Sequence, residues 1–196
     1  STPLVGEYNV ANALMAIALA VDSGIDPLSA AAALSTAQGA PGRLERVAHP
    51  EGVHVLVDYA HSPDAIERVI AAVRANLPGR VIGVLGCGGD RDQSKRPLMG
   101  AALAKGCDIA IFTSDNPRSE DPSQILKDMV GNLKVSEPAR VIEDRKSAID
   151  YAVSLASQGD TIAILGKGHE IGQEIDGKKL EFDDRKVLAE AIAGLK

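Results

Sequence analysis

Four short polar stretches carry the residues with the widest chemical range: Asp58-Tyr59-Ala60-His61, Gly86-Cys87-Gly88-Gly89-Asp90-Arg91-Asp92, Asp115-Asn116-Pro117-Arg118 and Gly166-Lys167-Gly168-His169-Glu170. Each follows an apolar run of strand length. Arg91 and Arg118 can each grip a carboxylate through two parallel N–H bonds, and Glu170 can accept from an ammonium group. Two guanidinium groups and one acid suit a zwitterionic amino acid better than a chain of phosphates. Taken singly, each arginine reads as well as a surface ion pair, and Gly, Pro, Asn and Asp are ordinary turn residues. The recurrence of four such loops is what points to a site. The glycines at 86, 88 and 89 can offer backbone N–H groups to an anion. They form neither GxGxxG nor a P-loop, and no G-x-x-x-x-G-K-[ST] occurs in the 196 residues.

Other chemistries find less support. His49, His54, His61 and His169 are scattered, there is no H-E-x-x-H, and Cys87 and Cys107 lack CxxC spacing, so no metal site is expected. Ser114 has no G-x-S-x-G context. Two cysteines beside apolar runs read as buried thiols in a reducing compartment. Aromatic residues make up 3% of the chain, with no Trp, and the net charge is −6. Both argue against base-stacking platforms and a broad nucleic-acid footprint. No run of 18 apolar residues or signal-type segment appears, so no membrane partner and a cytoplasmic location are expected. The chain opens on Ser rather than Met, and a longer parent protein is expected.

The elements that must position these loops follow from the pattern. Residues 12–21 and 27–36 are Ala/Leu-rich segments of helix length, the second opened by Asp26-Pro27. Asn9 and Asn12 lie three apart, which places them on one face of the first helix if it begins early, with Asn9 a candidate cap. Residues 38–42 read as a break or hinge, and Gly42-Arg43-Leu44-Glu45 as a turn with an ion pair. Strands are then expected at 53–58, 80–85, 108–113, 139–142 and 161–165, alternating with helices near 63–77, 97–105, 122–132 and 145–157. Ser62 caps the first of these helices, with Pro63 at its first position. A tight turn at Asp176-Gly177 makes a hairpin of 173–175 and 179–182, and Asp183 or Asp184 caps a last helix through Leu195. This is an α/β fold: a mostly parallel, Rossmann-like sheet with a terminal hairpin adding an antiparallel strand, preceded by a short helical segment. Ligands collect beyond the carboxyl ends of such strands, where the four loops fall.

The loops, taken together with Gly6-Glu7-Tyr8-Asn9-Val10-Ala11-Asn12-Ala13, Gly42-Arg43-Leu44-Glu45 and Lys95-Arg96-Pro97, stand in the order seen in the Mur ligases, which the chain resembles over nearly its whole length. Asp115-Asn116-Pro117-Arg118 is similar to the recognition motif of the members that add meso-diaminopimelate. The resemblance implies that residues 1–41 are the last helices of a central ATPase domain and residues 42–196 the C-terminal, amino-acid-binding domain. It implies a reaction in which ATP and Mg²⁺, held mainly by the central domain, convert a carboxylate of a UDP-N-acetylmuramoyl dipeptide into an acyl phosphate, which the amine of meso-diaminopimelate then attacks. Carried over by match, Arg91, Asp115, Asn116, Pro117, Arg118, Gly166 and Glu170 would bind diaminopimelate. Asn9, Asn12, Arg43 and Asp58 would meet ATP, with Asp58 near the ribose, and residues 38–42 would be a closing hinge. Tyr59, His61, Lys95 and His169 receive no role. The P-loop and the central-domain catalytic residues are missing from the sequence, so the chain alone is expected to be inactive. Readings kept open are a lysine-adding Mur ligase, a folylpolyglutamate-synthase-like ligase and a non-catalytic amino-acid-binding module.

Overall fold

The computed structural model describes residues 4, 6–37, 39–49 and 52–194. Gln38 of the expected break and Leu195 of the last helix lie outside the described residues. The chain divides into two compact units, Ser1–Ala40 and Pro41–Lys196.

The first unit holds α1 (Glu7–Asp22) and α2 (Pro27–Ala33), the latter prolonged by a 3₁₀ turn at Leu34–Thr36. Asp26 caps α2 through the Ser29 N–H, with Pro27 at the first helical position. Helix α1 starts earlier than residue 12. Its cap is Gly6, and Asn9 sits one turn inside, so Asn9 is not the cap. The expected one-face relation of the two asparagines is present, with Asn12 Nδ2 donating to Asn9 Oδ1 at 3.2 Å. None of the described residues of α1 or α2 is buried. Leu14, Met15, Leu19 and Leu28 are all more than 60% exposed.

The second unit is a six-stranded sheet in the order β1-β2-β6-β3-β4-β5, with strands β1 (Glu45–Val47), β2 (His54–Asp58), β3 (Val81–Cys87), β4 (Ile109–Ser114), β5 (Arg140–Val141) and β6 (Thr161–Leu165). All pairings are parallel except β1 with β2. The central strands are buried on both faces, which explains their unbroken apolar sequence. On one face, Val55, Val57, Ile82, Val84, Ile111, Ile162 and Ile164 form a core with α6 (Arg145–Leu155) and α7 (Asp184–Ala193). On the other lie α3 (Pro63–Asn76), α4 (Arg96–Gly106) and α5 (Pro122–Val130). There a Cβ on Gly83 would meet Cys107 Sγ and Leu103, and one on Gly100 would fall 2.0 Å from the Met129 carbonyl. Asp160 closes the amino edge, accepting from the Arg80 and Ser157 N–H groups.

Three expectations change. The hairpin, β7 (Gly172–Ile175) with β8 (Lys178–Glu181), adds nothing to the main sheet. It is a separate two-stranded sheet. Its backbone bonds instead to the loop after β4: Arg118 N donates to Glu174 O at 2.9 Å and Asp176 N to Arg118 O at 2.7 Å. The antiparallel strand of the main sheet is β1, which begins at the last residue of the segment read as a turn, where the sequence predicts no strand. The ion pair expected in that turn is replaced, because Glu45 accepts from the Gly42 N–H at 2.6 Å and faces Arg185 at 3.5 Å. Both cysteines are free and buried, and burial pushes each thiol up to about 12.

Candidate functional site

Strands β2, β6, β3 and β4 are consecutive in the sheet and end within two residues of one another. Asp58 lies opposite Leu165, and Cys87 opposite Ser114. Their four following loops therefore meet at one edge. They enclose a cavity of about 380 Å³ lined by Tyr59, His61, Arg91, Asp115, Asn116, Arg118, Gly166 and Glu170, among others. That volume is at the small end for ligand sites, which run from about 300 to 1,000 Å³. The two arginines and the acid singled out from the sequence thus share one chamber, whose wall also holds Lys95, Arg96 and Met99.

In the loop after β3 two backbone N–H groups are already engaged. The Gly89 N–H is taken by the Asn116 carbonyl at 2.9 Å, and the Asp90 N–H by Glu120. The glycines serve close approach. A Cβ on Gly89 would sit 1.9 Å from the Pro117 carbonyl, and one on Gly86 within 2.7 Å of the Ser114–Asp115 backbone. The loop after β4 is thereby pressed onto the loop after β3. Pro117 contributes to this packing and is not part of the cavity wall. Arg118 adopts φ +55° and donates from one terminal nitrogen to Gly89 O at 2.7 Å, with its Nε 3.7 Å from Glu174. This conformation is sparsely used by residues other than Gly, and the side chain it carries forms part of the cavity wall.

Glu170 is part of the cavity wall. Asn116 Nδ2 donates to its Oε2 at 2.9 Å, and the Tyr59 hydroxyl approaches Oε1 at 3.5 Å. Burial works against its charge, but the Asn116 amide and the Lys167 ammonium outweigh that and hold its carboxyl below the usual range. Asp115 is buried more deeply. Desolvation raises its carboxyl despite the opposing charges of Arg145 and Lys167. Gly166, at φ +109°, passes so close to Asp115 that a Cβ would meet its Oδ2 at 2.8 Å.

Nucleotide candidates in this unit lie beside the same edge. Arg43 stacks over the Tyr59 ring at 5.0 Å from its centroid. Asp58 is buried, with Oδ2 accepting from Leu44 N and Oδ1 from Ala60 N, both at 2.8 Å. Its carboxylate thus fixes the segment that carries Arg43. His61 holds the Tyr59 carbonyl through Nδ1 at 2.7 Å. The His169 ring lies 5.6 Å from Tyr59, and Lys95 faces Asp92 at 3.8 Å.

Three buried cations escaped the sequence reading: Arg96, Arg145 and Lys167. Arg96 binds Asp128 and Glu120 at 2.9 and 2.7 Å. Arg145 pairs with Asp184, and the Lys167 ammonium touches four oxygen-bearing residues of the site. A sequence signal existed only for Lys167 and Arg96, each embedded in a motif. A lysine or arginine by itself reads as surface.

The fold and cavity define a class: a Rossmann-like domain whose strand-end loops bring opposite charges to one cavity. The chain belongs to the Mur ligase family, with residues 42–168 matching the model for the Mur ligase, glutamate ligase domain. It is 51% identical over 197 residues to the UDP-N-acetylmuramoyl-L-alanyl-D-glutamate–2,6-diaminopimelate ligase of Streptomyces coelicolor, covering 97% of this chain and 39% of that protein. A solved structure of a ligase of the same name is 40% identical with a TM-score of 0.78, over 99% of this chain and 40% of that one. A folylpolyglutamate synthase from Mycobacterium tuberculosis, solved with ADP and AMPPCP, is 27% identical with a TM-score of 0.66, over 84% of this chain and 38% of that one. The chain spans about two fifths of the length of the relatives it matches.

Proposed function

We propose that the chain is the C-terminal part of a cytoplasmic ATP-dependent ligase that joins meso-diaminopimelate to UDP-N-acetylmuramoyl-L-alanyl-D-glutamate in peptidoglycan synthesis. The observation that carries this reading is the convergence of Arg91, Arg118 and Glu170 on one cavity. Each end of diaminopimelate is an amino-acid head. The carboxylate of the distal head meets the Arg118 fork, whose posture the Gly89 carbonyl sets. The distal ammonium meets Glu170 and the Gly166 carbonyl. Arg91 and Asn116 complete the shell, and Asp115 supports it from the buried side. Anchoring one head leaves the other amine free to reach an acyl carbon, so this domain supplies proximity and orientation.

ATP with Mg²⁺ supplies the phosphoryl group that activates the acceptor carboxylate. Within the second unit Arg43, presented by Asp58 and Tyr59, suits a phosphate. The remaining nucleotide contacts belong to the part of the ligase beyond this chain, and the chain alone does not turn over. Residues 1–41 are read as the last helices of that central domain. The uncovered apolar side chains of α1 and α2 support this, being a face that a larger domain would bury.

The test is a substrate comparison in the full-length protein. ATP-dependent ligation is expected with meso-diaminopimelate and is expected to fall roughly 100-fold or more with lysine, which lacks the distal carboxylate. Equal use of both amino acids would sink the assignment. Turnover by the 196-residue chain alone would overturn its division of labour.

A further inference from the structure

We propose that Lys167 is a positioning residue, a buried ammonium that fixes Glu170 as an oriented, ionised carboxylate for the incoming amino acid. The proposal rests on the reading of the cavity as an amino-acid site and goes one layer behind it.

The Lys167 side chain has no solvent exposure. An ammonium in that state needs compensation from every side. Its Nζ lies 2.7 Å from Gly172 O, 3.1 Å from Asn116 Oδ1 and 3.3 Å from Glu170 Oε2, with Asp115 Oδ1 at 3.7 Å. Three donors and three hydrogen-bond acceptors leave nothing for a ligand. Lys167 therefore acts through its partners and does not touch substrate.

Those partners are the site. Asn116 Oδ1 accepts from both Lys167 and the Glu174 N–H at 3.0 Å, so the amide has one allowed orientation, with Nδ2 aimed at Glu170. Glu170 Oε2 is saturated by Asn116 and Lys167, leaving Oε1 turned toward Tyr59 and the cavity. Gly172 begins the hairpin whose Gln173 holds the Asp115 carbonyl at 2.8 Å. One ammonium thus links the loop after β6, the loop after β4 and the hairpin.

Electrostatics point the same way. The charged and titratable groups nearest Glu170 are Lys167, Arg118, Asp115 and Tyr59, with the Arg145–Asp184 pair behind them and His61, Arg91, Asp92, Lys95 and Arg96 on the same cavity wall. Arg145 is engaged bidentately by Asp184, and Arg118 is the group offered to a ligand carboxylate. Without Lys167, Glu170 and the fully buried Asp115 would face each other with no committed cation between them.

The experiment uses Lys167→Met in the full-length ligase. The KM for meso-diaminopimelate is expected to rise roughly tenfold or more, with the KM for ATP unchanged. The acid limb of the kcat/KM profile is expected to move upward by about one pH unit or more. A merely structural lysine would lower the active fraction and leave that limb in place, and this result would overturn the proposal. Lys167→Gln, which keeps donors without charge, replaces Met if that variant does not fold and carries the same expectations. Independently of any Lys167 variant, the Glu170 carboxyl ¹³C signal, assigned through its loss in Glu170→Gln, is expected to titrate below 4.5 in the wild-type protein. A midpoint at or above that value would refute the proposal. This titration needs no substrate, so it stands apart from the outcome of the diaminopimelate assignment.

Discussion

Arg145 and Asp184 form a two-pronged ion pair with no exposure of either side chain, with both N–O distances at 2.8 Å. The remaining Arg145 donors reach Ser114 O and Leu165 O, the last residues of β4 and β6. One guanidinium therefore ties together the two strand ends from which the Asp115–Arg118 and Gly166–Glu170 loops depart. Asp184 is the first residue of α7, so the last helix is locked to the site edge by the same contact.

Removing one partner of this pair strands a buried charge. Asp184→Asn is expected to destabilise the second unit by about 3–5 kcal/mol, read from urea unfolding. The double change Arg145→Met with Asp184→Leu is expected to recover only part of that loss. It removes the uncompensated charge, but it also leaves two strand-end carbonyls without their donor. Full recovery would show that the carbonyl contacts contribute little.

The contact of Gly89 with Pro117 gives a second prediction. Gly89→Ala drives a methyl group into the Pro117 carbonyl, so the loop carrying Arg118 must lift away. Overpacking of this kind costs about 1–3 kcal/mol. Diaminopimelate affinity, measured by calorimetry on the full-length protein, is expected to fall roughly tenfold or more. Gly79→Ala is the control. It meets Gly159 O at 2.2 Å and carries a φ of +81°, but it lies at the opposite edge of the sheet. It is expected to lower the melting temperature and leave affinity intact.

The sequence made most of the frame legible because the frame is local. Strands β2, β3, β4 and β6 are apolar runs bounded by turn residues. Asp26 with Pro27, Ser62 with Pro63, and Asp183 are caps that act within three residues. What escaped is set by distant partners. Two of the three residues of strand β1 are charged, and its pairing with β2 comes from an edge position that sequence periodicity does not reveal. The hairpin has the right turn, but its destination depends on backbone groups of Arg118 nearly 60 residues earlier. Lys167 and Arg145 are buried because Asp115, Asn116 and Asp184 surround them, 39 to 52 positions away; Lys167 stands inside a motif, but neither residue type signals burial by itself. The site loops were found as loops. The resemblance assigned their ligands, and the structure added the buried cations behind them.

Asp160 yields a pH prediction. Its carboxylate accepts from the Arg80 guanidinium, the nearest contact being 2.6 Å, and from the Arg80 and Ser157 N–H groups. Those bonds lower its pKa to about 2 from an ordinary 3.8. A depressed carboxyl contributes stability above its unfolded value, and that contribution is lost as pH falls from near 4 through about 2. Wild-type protein is therefore expected to exceed Asp160→Asn in stability at pH 6, with the gap narrowing steadily between pH 4 and 2. Urea midpoints at four pH values suffice. A gap that is constant with pH would mean that the hydrogen-bond geometry matters and the charge does not.

Arg118 separates function from stability more sharply, because its backbone is strained where its side chain is proposed to meet the substrate. A φ of +55° costs a non-glycine residue about 1–2 kcal/mol. Such strain persists where surrounding contacts enforce it, here the Arg118 N–H and C=O bonds to the hairpin. Arg118→Gly relieves the strain and deletes the guanidinium. The variant is expected to fold with stability equal to or above wild type by up to about 1 kcal/mol, while its KM for meso-diaminopimelate rises roughly 100-fold. The KM for ATP should stay within twofold. Arg118→Lys restores a charge but not the fork that meets a carboxylate with two bonds, so it is expected to recover only a minor part of the loss. Full activity in the lysine variant would show that a point charge suffices at this position, and the preference for a second carboxylate would then have to come from Arg91.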